Sequence, residues 1–187
     1  YWRAGSICED WSAIEVPTFI VAGWQDTYSN PVGRLLEHLT CPRLALIGPW
    51  GHAYPWTARP QGLDWIVEEA RWWRHWLMGV DTGIMDEPRL RAFLPDQAPS
   101  AAIPQPVPGR WVAEPVWPPS RLMEDWILTP GALVQASQDP PPAPATLSYR
   151  TDRIVGLTRP EWLDRPPAEQ SRDNVDSLMF LSEPLDA

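Results

Sequence analysis

The chain has 187 residues, 44% of them hydrophobic, a formal charge of −9 and a pI near 4.7. That apolar content excludes a disordered chain and allows one good core, or one domain and part of a second. The negative charge repels nucleic-acid phosphate and anionic lipid, so polyanion partners are excluded. The longest apolar runs, Thr18 to Trp24 and Leu44 to Trp50, fall far short of the roughly 20 residues that span a bilayer, so no membrane partner is expected.

The two cysteines, Cys8 and Cys41, have neither a C-x-x-C spacing nor a neighbouring histidine pattern. Buried free thiols are therefore expected rather than a disulfide framework or a zinc site, and no metal or cofactor is implied. Such sparse cysteine suits a cytoplasmic location and is compatible with export. The start at Tyr1, without an initiator methionine or a basic segment followed by an apolar one, reads as an incomplete chain with no targeting peptide. The 24 prolines favour loops and short strands over long helices, and the 13 tryptophans supply large aromatic surfaces that must be packed or used.

Val16 to Trp24 is a continuous apolar run rich in β-branched residues and closed by Gly23, the pattern of a strand buried on both faces of a parallel sheet. The polar Gln25-Asp26-Thr27 follows at once. Asn30 then serves as the expected cap of a short helix with Pro31 in its first turn, running to about Leu39. Arg43 to Gly48 forms a second buried strand, which leads into the loop Pro49 to Ala53. Strand, helix and strand within about thirty residues make a βαβ unit, and hence a parallel sheet.

Asp64 is the expected cap of a helix from Trp65 to Met78, with Gly79 as its left-handed stop. Ile66, Ala70, Trp73 and Leu77 define an apolar stripe on that helix, widened by Trp65, Trp72 and Trp76, and packing against the sheet is the expected role of these tryptophans. Pro88 to Leu94 reads as one more strand, nearer an edge. Prolines then interrupt the chain from Pro95 to about Pro119, and beyond them lie short β-like pieces, Asp125 to Thr129 and Ser177 to Ser182. A boundary is expected near residue 120, with strands and almost no helix after it.

A serine nucleophile needs a base to take its proton and a carboxylate to hold that base in one tautomer; in α/β hydrolases these occur in the chain order Ser, Asp, His. Asp26 follows the first buried run, and His52 follows the second in the same way, 26 positions later. Successive parallel strands end on one edge of a sheet, so both side chains are expected in one crevice. Read alone, either residue is an ordinary loop residue; the pairing on consecutive strands is what selects them. His38, on a short helix among polar residues, and His75, within the tryptophan-rich helix, are poorer candidates and form no metal-ligand spacing with His52.

Gly23-Trp-Gln-Asp-Thr-Tyr28, Gly48-Pro-Trp-Gly-His52, Trp72 to Gly79 and Gly83-Ile-Met-Asp-Glu-Pro88 resemble successive blocks of the cocaine-esterase-like (CocE/NonD) serine hydrolases. That family also includes X-prolyl dipeptidyl-peptidases and α-amino-acid ester hydrolases. Gly109-Arg-Trp111, Trp117-Pro-Pro119, Ser171-Arg-Asp173 and Asp176 to Leu185 continue the resemblance over nearly the whole chain. The resemblance implies an α/β fold: residues 1–119 as the C-terminal part of an α/β-hydrolase domain, and 120–187 as the truncated start of a jelly-roll-like β-domain.

It further implies Asp26 and His52 as catalytic acid and base, no cofactor, and a small ester, amide or short peptide as substrate; X-Pro peptide, α-amino-acid ester, glutaryl amide or another ester stay open, as does a homodimer. The sequence departs from the pattern in one respect. No Gly-x-Ser-x-Gly elbow occurs, and Gly5-Ser6 lacks the flanking elements, so no nucleophile is assigned in this chain. Two other readings compete: a non-catalytic, tryptophan-rich ligand- or carbohydrate-binding module, favoured by exposed coplanar tryptophans, and a degenerate hydrolase fold, favoured by Asp26 and His52 pointing apart.

Overall fold

In a computed structural model the described residues are 3, 5–96, 105–119, 124–137, 146–150 and 171–184. They fall into two compact units, one up to residue 119 and one from 124 onward.

The first unit is a four-stranded sheet in the order β1 (Thr18–Gly23), β2 (Arg43–Gly48), β3 (Leu90–Pro95), β4 (Gly109–Glu114). β1, β2 and β3 are parallel, with Thr18 opposite Arg43 and Gly23 opposite Gly48. β4 runs antiparallel to β3, from Gly109 opposite Pro95 to Glu114 opposite Leu90. The strands between residues 17 and 94 are parallel as expected, and one expectation is corrected: the strand after Pro88 lies inside the sheet rather than nearer an edge, because the proline-interrupted segment contains six proline-free residues that pair antiparallel along its outer side and make the sheet mixed.

Alternation along the strands explains how both faces are covered. Ile20, Ala22, Ala45, Ile47, Leu90 and Ala92 meet Val32 and Leu36 of helix α1 (Pro31–His38). Phe19, Leu44 and Leu46 face helix α2 (Trp65–Met78), where Phe19 packs edge-on against Trp65 at 4.7 Å and tilted against Trp72 at 5.2 Å. Trp117 returns to α1 and donates from Nε1 to the Gly33 carbonyl at 3.0 Å.

The helix ends differ from expectation at their N-terminal caps. α1 does carry Pro31 in its first turn, but Asn30 is itself helical and makes no side-chain capping bond, and neither does Asp64 before α2. Gly79 stops α2 at φ +67°, where its N–H and that of Val80 satisfy the carbonyls of His75 and Arg74. The buried side of α2 carries Trp65 and Trp72, which pack against the sheet as expected, whereas Ile66, Trp73 and Leu77 of the expected stripe are exposed. Glu68 lies on the inner side with Trp65 and Trp72 and bonds Arg91 of β3 at 2.8 Å, while Arg71 binds Glu87 at 2.9 Å. Burial alone would raise the Glu68 pKa, but the bonds to Arg91 and Arg71 outweigh it and hold the carboxyl below its ordinary value. Cys41 is buried as expected, but Cys8 is exposed, and both thiols are free.

The second unit contains an antiparallel hairpin of β5 (Trp126–Thr129) and β6 (Ala132–Gln135), whose turn places Gly131 at φ +76°. The expected strand Ser177 to Ser182 contributes one bridge, Leu181 to Ala132, and the one helix among the described residues of this unit is the five-residue α3 (Ser171–Val175), within the expectation of almost no helix. No described helix is long and apolar enough to cross a membrane.

Candidate active site

Two glycines allow the ends of β1 and β2 to converge. Trp50 is only 4% exposed and lies across both strand ends; a Cβ on Gly23 would collide with its carbonyl and a Cβ on Gly48 with its indole. The strand ends are laced together beyond the ladder. Trp24 N–H donates to the Gly48 carbonyl at 2.9 Å and Gln25 N–H to the Trp50 carbonyl at 3.1 Å. The loops carrying Asp26 and His52 are thus held side by side by main-chain bonds.

The Asp26 carboxylate is held at both oxygens. Oδ1 accepts from the Tyr28 backbone N–H at 2.9 Å, a local turn that aims the carboxylate, and Oδ2 lies 3.0 Å from His52 Nδ1. The Asp26 side chain is 15% exposed and that of His52 is 51% exposed, so the acid is shielded while the imidazole meets solvent. With Nδ1–H donating to Asp26, Nε2 is the unprotonated nitrogen of a neutral ring and can take a proton from an incoming group.

Around this pair lies a cavity of about 530 Å³ lined by Gly23, Asp26, Trp50, His52, Tyr54 and Trp56, among others. Tyr54 and Trp56 are stacked at 4.7 Å with their rings 13° apart, and Tyr28 lies 5.9 Å from the His52 ring. These aromatics were not singled out from the sequence, although each lies within four positions of Asp26 or His52. The structure brings Asp26 and His52 together and leaves the other histidines elsewhere. His38 stacks on Trp11 at 5.0 Å and His75 meets Trp76 edge-on at 4.8 Å, and neither lines this cavity.

Two parallel strands that deliver a hydrogen-bonded Asp–His pair to one edge of a mixed α/β sheet are an arrangement used by serine hydrolases. Residues 1–54, which contain β1, α1, β2 and both members of the pair, match the family model of the X-Pro dipeptidyl-peptidases (S15 family). The match supports a place among hydrolases of this broad kind. No curated protein matches the chain.

Proposed function

We propose that residues 1–119 are the C-terminal part of an α/β-hydrolase-type catalytic domain of the cocaine-esterase-like group, in which Asp26 and His52 are the acid and base of a serine triad. The observation that carries this reading is the 3.0 Å contact between Asp26 Oδ2 and His52 Nδ1 at the carboxyl ends of neighbouring parallel strands. The nucleophilic serine comes from polypeptide outside residues 1–187. On this reading the residues from 120 onward open a jelly-roll-like β-domain.

The chemistry is acyl transfer from an ester or amide to water. His52 Nε2 takes the serine proton as the hydroxyl oxygen attacks the carbonyl carbon, and the resulting imidazolium, stabilised by Asp26, returns that proton to the departing alkoxide or amine. Water then attacks the acyl-enzyme, again giving its proton to Nε2, and the acid product leaves as the serine is regenerated. No cofactor enters any step. An X-Pro peptide bond is one substrate class within this reading, alongside simple and α-amino-acid esters.

The competing binding-module reading has less support. Trp50, Trp65 and Trp72 are buried, and among the described residues the tryptophan–tryptophan pairs in ring contact, Trp50 with Trp111 and Trp72 with Trp76, meet at 49° and 56°; the one near-coplanar exposed aromatic pair, Tyr54 with Trp56, is a single stack beside the Asp26–His52 pair. Hydrolysis of a small activated ester tests the proposal. The 187-residue chain is expected to show no activity above background, and a longer polypeptide supplying the nucleophile is expected to be active and to lose several orders of magnitude in kcat on His52→Ala. A folded His52→Ala variant with undiminished turnover would sink it.

A further inference from the structure

The loop that follows His52 turns back on itself and is tied at its base. The Tyr54 carbonyl accepts from the backbone N–H groups of Thr57 and Ala58, at 2.9 and 3.0 Å, and from the Thr57 hydroxyl at 3.0 Å. The Pro55 carbonyl accepts from the Leu63 N–H at 2.9 Å, and a Cβ on Gly62 would collide with that same carbonyl. Ala58 is buried in one cluster with Leu46, Trp50 and Trp65. The backbone that carries Tyr54 and Trp56 is thus fixed to the core.

Burial does not account for the two side chains themselves. Tyr54 is 68% and Trp56 39% exposed, yet their rings lie 4.7 Å apart and only 13° from coplanar. Stacking uses one face of each ring and leaves the other. Both residues line the cavity that holds Asp26 and His52. Exposed, near-parallel rings on a fixed loop suit a flat apolar group, because little order is left to impose when that group arrives. Among the described residues lining this cavity, Asp26 and Glu69 are carboxylates and none is lysine or arginine, which disfavours an anionic occupant.

We propose that the Tyr54–Trp56 stack is the leaving-group subsite of the candidate active site, and that it takes a flat, uncharged aromatic ring on the alcohol or amine side of the scissile bond. The assignment to that side rests on the catalytic reading above. As the bond from the acyl carbon to the departing oxygen or nitrogen breaks, that atom takes its proton from His52 Nε2, so the wall next to His52 meets the leaving group. Tyr54 and Trp56 lie two and four positions beyond His52. The acyl-enzyme has already lost the leaving group, so the stack acts on acylation and not on deacylation. Its effect is a preference among esters that share one acyl group, read in kcat/KM.

Two measurements test this. In the 187-residue chain, 3-phenylpropan-1-ol is titrated while the ring resonances of Tyr54 and Trp56 are followed by NMR. Both are expected to shift, with an affinity about fivefold or more above that of 3-cyclohexylpropan-1-ol or of the anionic 3-(4-carboxyphenyl)propan-1-ol. The same shifts are expected in His52→Ala, so a failed catalytic reading and a failed ring site give different results. In a longer, active polypeptide, 3-phenylpropyl acetate is expected to exceed 3-cyclohexylpropyl acetate about fivefold or more in kcat/KM, the two alcohols being nearly equal in acidity. Trp56→Ala and Tyr54→Leu are each expected to bring that ratio below about twofold, and Tyr54→Phe, which keeps the ring, to retain it. With the ring moved to the acyl side, the ratio of propyl 3-phenylpropanoate to propyl 3-cyclohexylpropanoate is expected to stay at the parent value in all three variants. Four outcomes would overturn the proposal: no shift of either ring, equal affinity for the three alcohols, a leaving-group ratio that survives Trp56→Ala, or a change in the acyl-side ratio, which would assign the stack to the acyl group.

Discussion

β1 and β4 lie at the two sides of one sheet and are built from different material. β4 carries Arg110 and Glu114, is bracketed by Pro108 and Pro115, and runs antiparallel to its neighbour. Charge and flanking proline are the usual means of discouraging further pairing. β1 has no charged side chain and a proline, Pro17, on its N-terminal side only, and it ends at the Asp26–His52 pair. Among the described residues β1 is therefore an edge strand with the composition of an interior one, and the Asp26–His52 pair lies on its side of the sheet.

This contrast can be broken or sharpened by substitution. The largest difference is expected in catalysis. In an active, longer polypeptide, Asp26→Asn should lower kcat about 10⁴-fold by favouring the wrong imidazole tautomer, while Arg110→Ala on β4 should leave kcat within about twofold. Comparable losses from both would remove the functional distinction between the edges.

Stability comes next. Trp50→Ala should cost about 3–5 kcal/mol by emptying the space between the strand ends, and Trp111→Ala on β4, which is 43% exposed, should cost clearly less; denaturant midpoints of the two variants would show it. Gly48→Ala forces a methyl group into the Trp50 indole and should cost about 1–3 kcal/mol by the same measurement.

The ion pairs of the sheet's interior give a smaller, pH-dependent effect. Because the folded-state pKa of Glu68 is depressed, its contribution is present above the ordinary glutamate value of about 4.3 and is lost as pH falls below that through the folded value. Acid titration of Glu68→Gln should therefore show a shallower loss of stability below about pH 4 than the parent chain. The smallest effect is expected at the Arg110–Asp96 pair, which is well exposed: Arg110→Ala should change stability by less than about 0.5 kcal/mol.

How much of this was legible in the sequence follows the same contrast. β1, α1, β2 and α2 were readable because continuous apolar runs, Pro31 and Gly79 are local signals whose meaning does not depend on distant partners. Asp26 and His52 could be paired because chain order and strand direction alone bring both to one sheet edge. β4 was hidden because prolines dominate its surroundings and its pairing depends on β3. The facing of α2 was legible only in part: Trp65 and Trp72 pack against the sheet as expected, but apolar residues nearly encircle the helix, so its sequence did not exclude Ile66, Trp73 and Leu77 from the inner side. Asn30 and Asp64 have capping chemistry, but composition does not fix the backbone angles that capping requires. The Tyr54–Trp56 stack follows from a loop path that no periodicity encodes.

The central claim is that Asp26 holds His52 with Nδ1 protonated and Nε2 free to accept a proton. Nitrogen-15 NMR of the imidazole in the 187-residue chain tests it directly, at about pH 8.5, well above the ordinary histidine value of about 6.5. A protonated Nδ1 and an unprotonated Nε2 are expected, with a shift toward the opposite tautomer in Asp26→Asn. A His52 carrying its proton on Nε2, unchanged when Asp26 is replaced, would contradict the account.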